Sequence, residues 1–93
     1  MDRVATIRSR LQQALAPDEL EVVDESHKHA GHAGARDGRG HFRVRLVSSA
    51  FSALPLIRRH QLVYAALGDL MQTDIHALAM ETRAPGESTP APS

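Results

Sequence analysis

Cysteine is absent from this 93-residue chain. Disulfides, thiolate nucleophiles and any self-contained cysteine-ligated zinc or iron–sulfur site are therefore excluded. Tryptophan is absent as well, and two Phe and one Tyr are the whole aromatic complement. The core must be assembled mainly from Leu, Val, Ile, Met and Ala. Net charge is missing too: 11 Lys and Arg balance 11 Asp and Glu. That balance argues against a broad basic surface gripping nucleic acid, and leaves a local Arg patch open. No run approaches the ~18 apolar residues of a membrane span, and no apolar leader follows Met1-Asp2-Arg3-Val4. A cytoplasmic protein is expected. One domain of this size buries only about 60–65% of its unfolded surface and has little room for an enclosed substrate pocket. No P-loop, G-x-G-x-x-G, nucleophile elbow or paired-carboxylate arrangement occurs, so a binding partner is expected rather than an enzyme.

Local patterning predicts an α+β order. Val4, Ile7, Leu11, Ala14 and Leu15 fall three or four apart and predict a helix, with Asp2 as N-cap and Pro17 ending it near Ala16. Leu20 to Asp24 reads as a short strand. His41 to Val47 is a clearer one, with Phe42, Val44 and Leu46 on a buried face and Arg43 and Arg45 on a face that is wet or covered by a partner. Ser48 to Pro55 is a turn region. Leu56, His60, Val63, Leu67, Leu70 and Met71 trace one helical stripe from about Leu56 to Gln72. Ile75 to Glu81 reads as a third strand, with Ile75, Ala77 and Ala79 on one face and His76, Leu78 and Met80 on the other. A strand–helix–strand succession favours a right-handed crossover and hence a parallel pair. The expectation is a three-stranded mixed sheet with helices on one face, a domain over residues 1–83 and a flexible Pro-rich tail over 84–93.

What the chain does have is histidine, six in all. His27, His29 and His32 lie between Ser26 and Gly40, a long hairpin connection with four glycines and little that can pack. Such a connection is usually functional or disordered. Imidazole is the commonest metal ligand, so the triplet is a candidate zinc site in its own right, although glycine mobility would not hold its ligands in place. His60 on the helical stripe reads first as a packed, hydrogen-bonded histidine, His41 at the start of one strand as a residue bonding across the hairpin, and His76 at the start of another as a partly buried structural histidine. Gly31-His32-Ala33-Gly34 spells the GXXG clamp of KH nucleic-acid modules, but between strands rather than helices.

Four segments taken together resemble the BolA family: Asp24 to Gly34, His41-Phe42-Arg43-Val44-Arg45-Leu46-Val47-Ser48, Arg59-His60-Gln61-Leu62-Val63-Tyr64, and Ile75-His76-Ala77-Leu78. The resemblance spans roughly residues 3–84. It implies an α-β-β-α-α-β fold similar to the type II KH fold. It also implies a non-enzymatic adaptor that pairs with a monothiol CGFS glutaredoxin, with or without a bridging [2Fe–2S] cluster, in iron–sulfur trafficking or iron regulation. Some members are described as DNA-binding transcriptional regulators. Without cysteine, the chain is similar to the histidine-loop group. The family's loop ligand matches His29 and its second ligand matches His76, with His27 and His32 as secondary candidates. The family's Arg-His-Arg signature matches Arg59-His60-Gln61, departing at its last position. Two histidines on one iron are chemically sound, and the missing thiolates would come from the glutaredoxin and its bound glutathione. Ligation needs neutral imidazole and should weaken as pH falls. The alternative is a DNA-binding regulator using Arg43, Arg45, Arg58, Arg59 and His60 on the KH-like face.

Overall fold

Asp2 caps the first helix, its carboxylate accepting from the Ala5 N–H at 3.2 Å. In the computed structural model, which describes residues 2–26 and 40–87, that helix, α1, runs Arg3–Leu15. It ends at Ala16, which adopts a left-handed conformation ahead of Pro17. Strand β1 is Glu19–Asp24, β2 is Gly40–Val47, and a 3₁₀ turn covers Ser49–Phe51. Helix α2 is Leu56–Leu67, α3 is the single turn Leu70–Thr73, and β3 is Ile75–Arg83. The architecture is the α+β fold expected: the described residues form three helices and one mixed sheet of order β1-β2-β3. β1 and β2 are antiparallel, and β2 and β3 are parallel.

The alternation in β2 is realised as read. Phe42, Val44 and Leu46 are buried against Ile7, Leu11 and Leu15 of α1 and Val63 and Leu67 of α2. Arg43 and Arg45 point to the opposite face, which no described helix covers. Ser48 locks the layers together: its buried hydroxyl donates to the Leu15 carbonyl at 2.6 Å and accepts from the Ala50 N–H at 3.1 Å. Phe51, just beyond, is fully buried.

Three expectations are corrected. The helix expected from about Leu56 to Gln72 breaks at Gly68, whose φ of 54° and ψ of −127° suit glycine alone. Arg10 caps the broken end, donating to the Leu67 carbonyl at 3.2 Å. Second, the stripe does not bury Leu56, which is 59% exposed. The first turn of α2 is tied down by Arg59 instead: its Nε donates to the Leu54 carbonyl at 2.8 Å, and its two terminal nitrogens grip Glu87 at 2.6 and 2.7 Å. Third, the folded part passes residue 83. Ala84 is buried in the core and its N–H donates to Glu87 at 2.8 Å. The rest of the expected tail lies outside the described residues.

Candidate functional site

Sheet register shapes the neighbourhood of His76. Gly40 pairs with Ile75, but the next residue of β2, His41, pairs with Ala77, so β3 spends two residues against one step of β2. His76 is the extra residue of this bulge. Bulges re-aim side chains, and here the insertion switches the faces of β3. Ile75 is buried before it; Leu78, Met80 and Thr82 turn to the core after it, while Ala77 and Ala79 face outward. The expected pairing of Ile75 with Ala77 and Ala79 on one face is overturned for this reason. His76 itself is left exposed.

His41 is the residue that sequence reasoning undervalued. Its ring lies against that of His76, centroids 5.1 Å apart and planes tilted by 51°. The backbone of His41 is pinned on both sides of the peptide: its N–H donates to the Ser26 hydroxyl at 3.0 Å, and its carbonyl accepts from the Glu25 N–H at 2.8 Å. Next to it, the Gly40 N–H donates to the Asp74 carbonyl at 2.9 Å. Gly40 is obligatory here because a Cβ would sit 2.6 Å from the Phe42 ring and 2.8 Å from the Ser26 hydroxyl. The segment carrying His27, His29 and His32 therefore leaves at Ser26 and returns at Gly40, with both stems bonded within a residue of His41. Those three histidines lie outside the described residues. One sequence signal for the bulge exists: Leu78 and Met80 share parity with His76, not with Ile75, so an unbroken strand could not bury all three apolar residues.

Beside His41 the outer face of the sheet opens into a shallow depression of about 340 Å³, lined by Glu25, Arg43, Ala77 and Ala79 among others. Its charges are largely matched. Arg43 meets Glu25 at 3.1 Å, and Arg45 lies 3.9 Å from both Glu19 and Glu81. Behind His76, Asp74 is held below the usual carboxylate range, first by the Thr73 hydroxyl and then by the Arg3 guanidinium at 3.0 Å. The residues matching the signature, and Arg58 before them, lie on α2. Arg58 is exposed and His60 is half-buried. Arg59 is committed inside the protein, to Leu54, Glu87 and, at 3.4 Å, the Thr82 carbonyl. Among the described residues no group of three or more His, Asp or Glu converges as a metal site. No described helix is long and apolar enough to cross a membrane.

Comparison with known proteins decides the family. Residues 11–87 match the BolA-like protein family. The chain belongs to it. Protein BOLA1, chloroplastic, of Arabidopsis thaliana is 41% identical over 90 residues, covering 94% of this chain and 56% of that protein. The DNA-binding transcriptional regulator BolA of Escherichia coli is 41% identical over 76 residues, 82% of this chain and 70% of the relative. Thus the chain spans little more than half of the plant relative and most of the bacterial one. The solved BolA domain of SufE1 from Arabidopsis thaliana superposes with a TM-score of 0.82 at 40% identity, covering 95% of this chain and 98% of that domain. The bulge, the His41–His76 contact and the Arg59–Glu87 clasp all lie within the residues that match the family.

Proposed function

We propose that this BolA-like protein is a non-enzymatic adaptor that binds a monothiol glutaredoxin and co-ligates a bridging [2Fe–2S] cluster through His29 and His76. One observation carries the reading: both stems of the segment bearing His29 are bonded within a residue of His41, whose ring packs on exposed His76. That connectivity brings the two ends of the segment to the end of the sheet where His76 stands. The donor set fits the group. The chain offers imidazole and no thiol, and among the described residues His76 is exposed, which is compatible with thiolates supplied by a second protein. The cluster would supply an iron centre that accepts imidazole and thiolate donors together. The test is to mix the chain with glutathione-loaded holo-glutaredoxin and follow visible circular dichroism and size exclusion. A heterodimer with an altered spectrum is expected, and His76→Ala should change that spectrum more than His27→Ala or His32→Ala. An unchanged spectrum with no heterodimer refutes the proposal.

A DNA-binding role is the second reading, favoured by the description of the Escherichia coli relative. It ranks second because Arg43, Arg45 and Arg59 each face a carboxylate. Phosphate-driven affinity falls steeply from low to physiological salt, so a flat salt dependence would remove it.

A further inference from the structure

Only 11% of the Arg59 side chain is exposed, so its guanidinium has to be satisfied within the fold. Two backbone carbonyls fix its orientation: Nε donates to Leu54 at 2.8 Å, and one terminal nitrogen donates to Thr82 at 3.4 Å. Both terminal nitrogens are thereby aimed at a point beside the end of β3. The Ala84 N–H converges on the same point, and Ala84 is anchored in the core. Glu87 fills the space between these three donors. One of its oxygens lies 2.6 Å from the first terminal nitrogen and 2.8 Å from the Ala84 N–H, and the other lies 2.7 Å from the second.

Glu87 is held quite differently from its donors. Ala84-Pro85-Gly86-Glu87 is a β-turn closed by the Glu87 N–H on the Ala84 carbonyl at 3.1 Å, with Gly86 at φ 84°. Pro followed by a positive-φ Gly is the type II pattern. Pro85, Gly86 and Glu87 are all exposed, whereas the carbonyls that orient Arg59 belong to other segments. We infer that the Arg59 fork and the Ala84 N–H form a carboxylate-binding site that the chain keeps filled with its own Glu87. When the terminal turn opens, the site accepts an Asp or Glu side chain of a second protein. Three donors match the two oxygens of a carboxylate; a phosphate would bring further oxygens for which this trio has no donor. Leu56 and Ile57, 59% and 66% exposed on the same first turn of α2, give an acidic protein segment apolar surface to rest on. The site is separate from the proposed cluster ligand, since His76 stands at the opposite end of β3.

The test follows the Arg59 Nε–H and Ala84 amide resonances of the full chain by NMR, as acetate replaces chloride at constant ionic strength and neutral pH. An internal competitor lowers apparent affinity by the fraction of time the site is open, so Glu87→Ala should bind acetate at least about tenfold more tightly than wild type. Gly86→Ala keeps the carboxylate and adds a Cβ that meets nothing within 4 Å, but it disfavours the positive φ of the turn. Its affinity should fall between the other two, at least about fivefold above wild type. Absence of an acetate-specific shift in folded Glu87→Ala overturns the site, and equal affinities in wild type and Glu87→Ala overturn the internal competition. If Glu87→Ala does not fold, Gly86→Ala against wild type decides, and equal affinities there overturn the proposal. Inorganic phosphate acting at lower concentration than acetate overturns the carboxylate assignment. Acetyl-Gly-Glu-amide, with only a side-chain carboxylate, should bind more tightly than acetyl-Gly-Gln, with only a terminal one; the reverse order overturns the side-chain source.

Discussion

Adding one methyl group at Gly40 is the sharpest test of how this end of the sheet is built. Gly40 does not need a left-handed backbone, since positive φ among the described glycines occurs at Gly68 and Gly86. The penalty for Gly40→Ala is therefore steric. Its Cβ would lie 2.6 and 2.8 Å from two carbons of the Phe42 ring, and 2.8 Å from the Ser26 hydroxyl that holds the His41 N–H. Phe42 is 2% exposed, so its ring has no solvent to retreat into. Overpacking of this kind costs about 1–3 kcal/mol. For a domain of this length each 1 kcal/mol moves the midpoint by roughly 4–8 °C, so a loss of about 2 kcal/mol lowers Tm by about 8–16 °C. Differential scanning calorimetry of Gly40→Ala, Phe42→Leu and the double variant forms a cycle. Phe42→Leu alone should cost about 1–2 kcal/mol through lost packing. In the pair, the smaller side chain makes room for the methyl, and the double variant should be more stable than the sum by about 1 kcal/mol. A Gly40→Ala protein within about 0.5 kcal/mol of wild type, or a strictly additive cycle, would refute the steric account.

Other perturbations follow from the same contacts. Ser48→Ala removes a fully buried hydroxyl that serves both the Leu15 carbonyl and the Ala50 N–H, and should cost about 1–3 kcal/mol in urea titration with an unchanged m-value. Arg59→Lys should lower Tm despite keeping the charge, because an ammonium cannot reproduce the fork that spans Leu54, Thr82 and both oxygens of Glu87. Glu87 is drawn down to about 2 from an ordinary 4.5, chiefly by the Arg59 hydrogen bonds. A depressed carboxylate stabilises the fold above its unfolded value and loses that contribution as pH falls through its folded one. Wild type should therefore lead Glu87→Gln at neutral pH, with the gap closing between about pH 4.5 and 2.

Much of the fold was legible because β2 and α1 announce themselves by period. Phe42, Val44 and Leu46 alternate without interruption, and Ile7, Leu11 and Leu15 keep a helical spacing, so burial followed spacing in both. β3 resisted the same reading because the period-2 rule assumes an unbroken register, and the bulge at His76 resets it. Gly68 was hidden by the apolar stripe continuing through Leu70 and Met71 on the far side of the break. The tail looked unpacked by composition, yet one long-range ion pair, Arg59 with Glu87, extends the fold beyond Arg83. At the site, His76 was singled out only by the resemblance to the BolA family, and its contact with His41 joins residues on two strands that nothing local in the sequence links.

The parallel pairing of β2 with β3 also has a temporal consequence. His41 and His76 are 35 positions apart, and the helices α2 and α3 lie between them. Non-local pairings of this kind form slowly, because the intervening chain must be ordered before they are rewarded. The hairpin of β1 and β2 can close earlier, bringing Ser26 to His41, but a chain synthesised only as far as Asp74 has neither the bulge nor the second imidazole. Were a partner to dock at this end of the sheet, as proposed above, it would meet a surface that exists only once β3 has been made and seated, so its binding would report that β3 is in place.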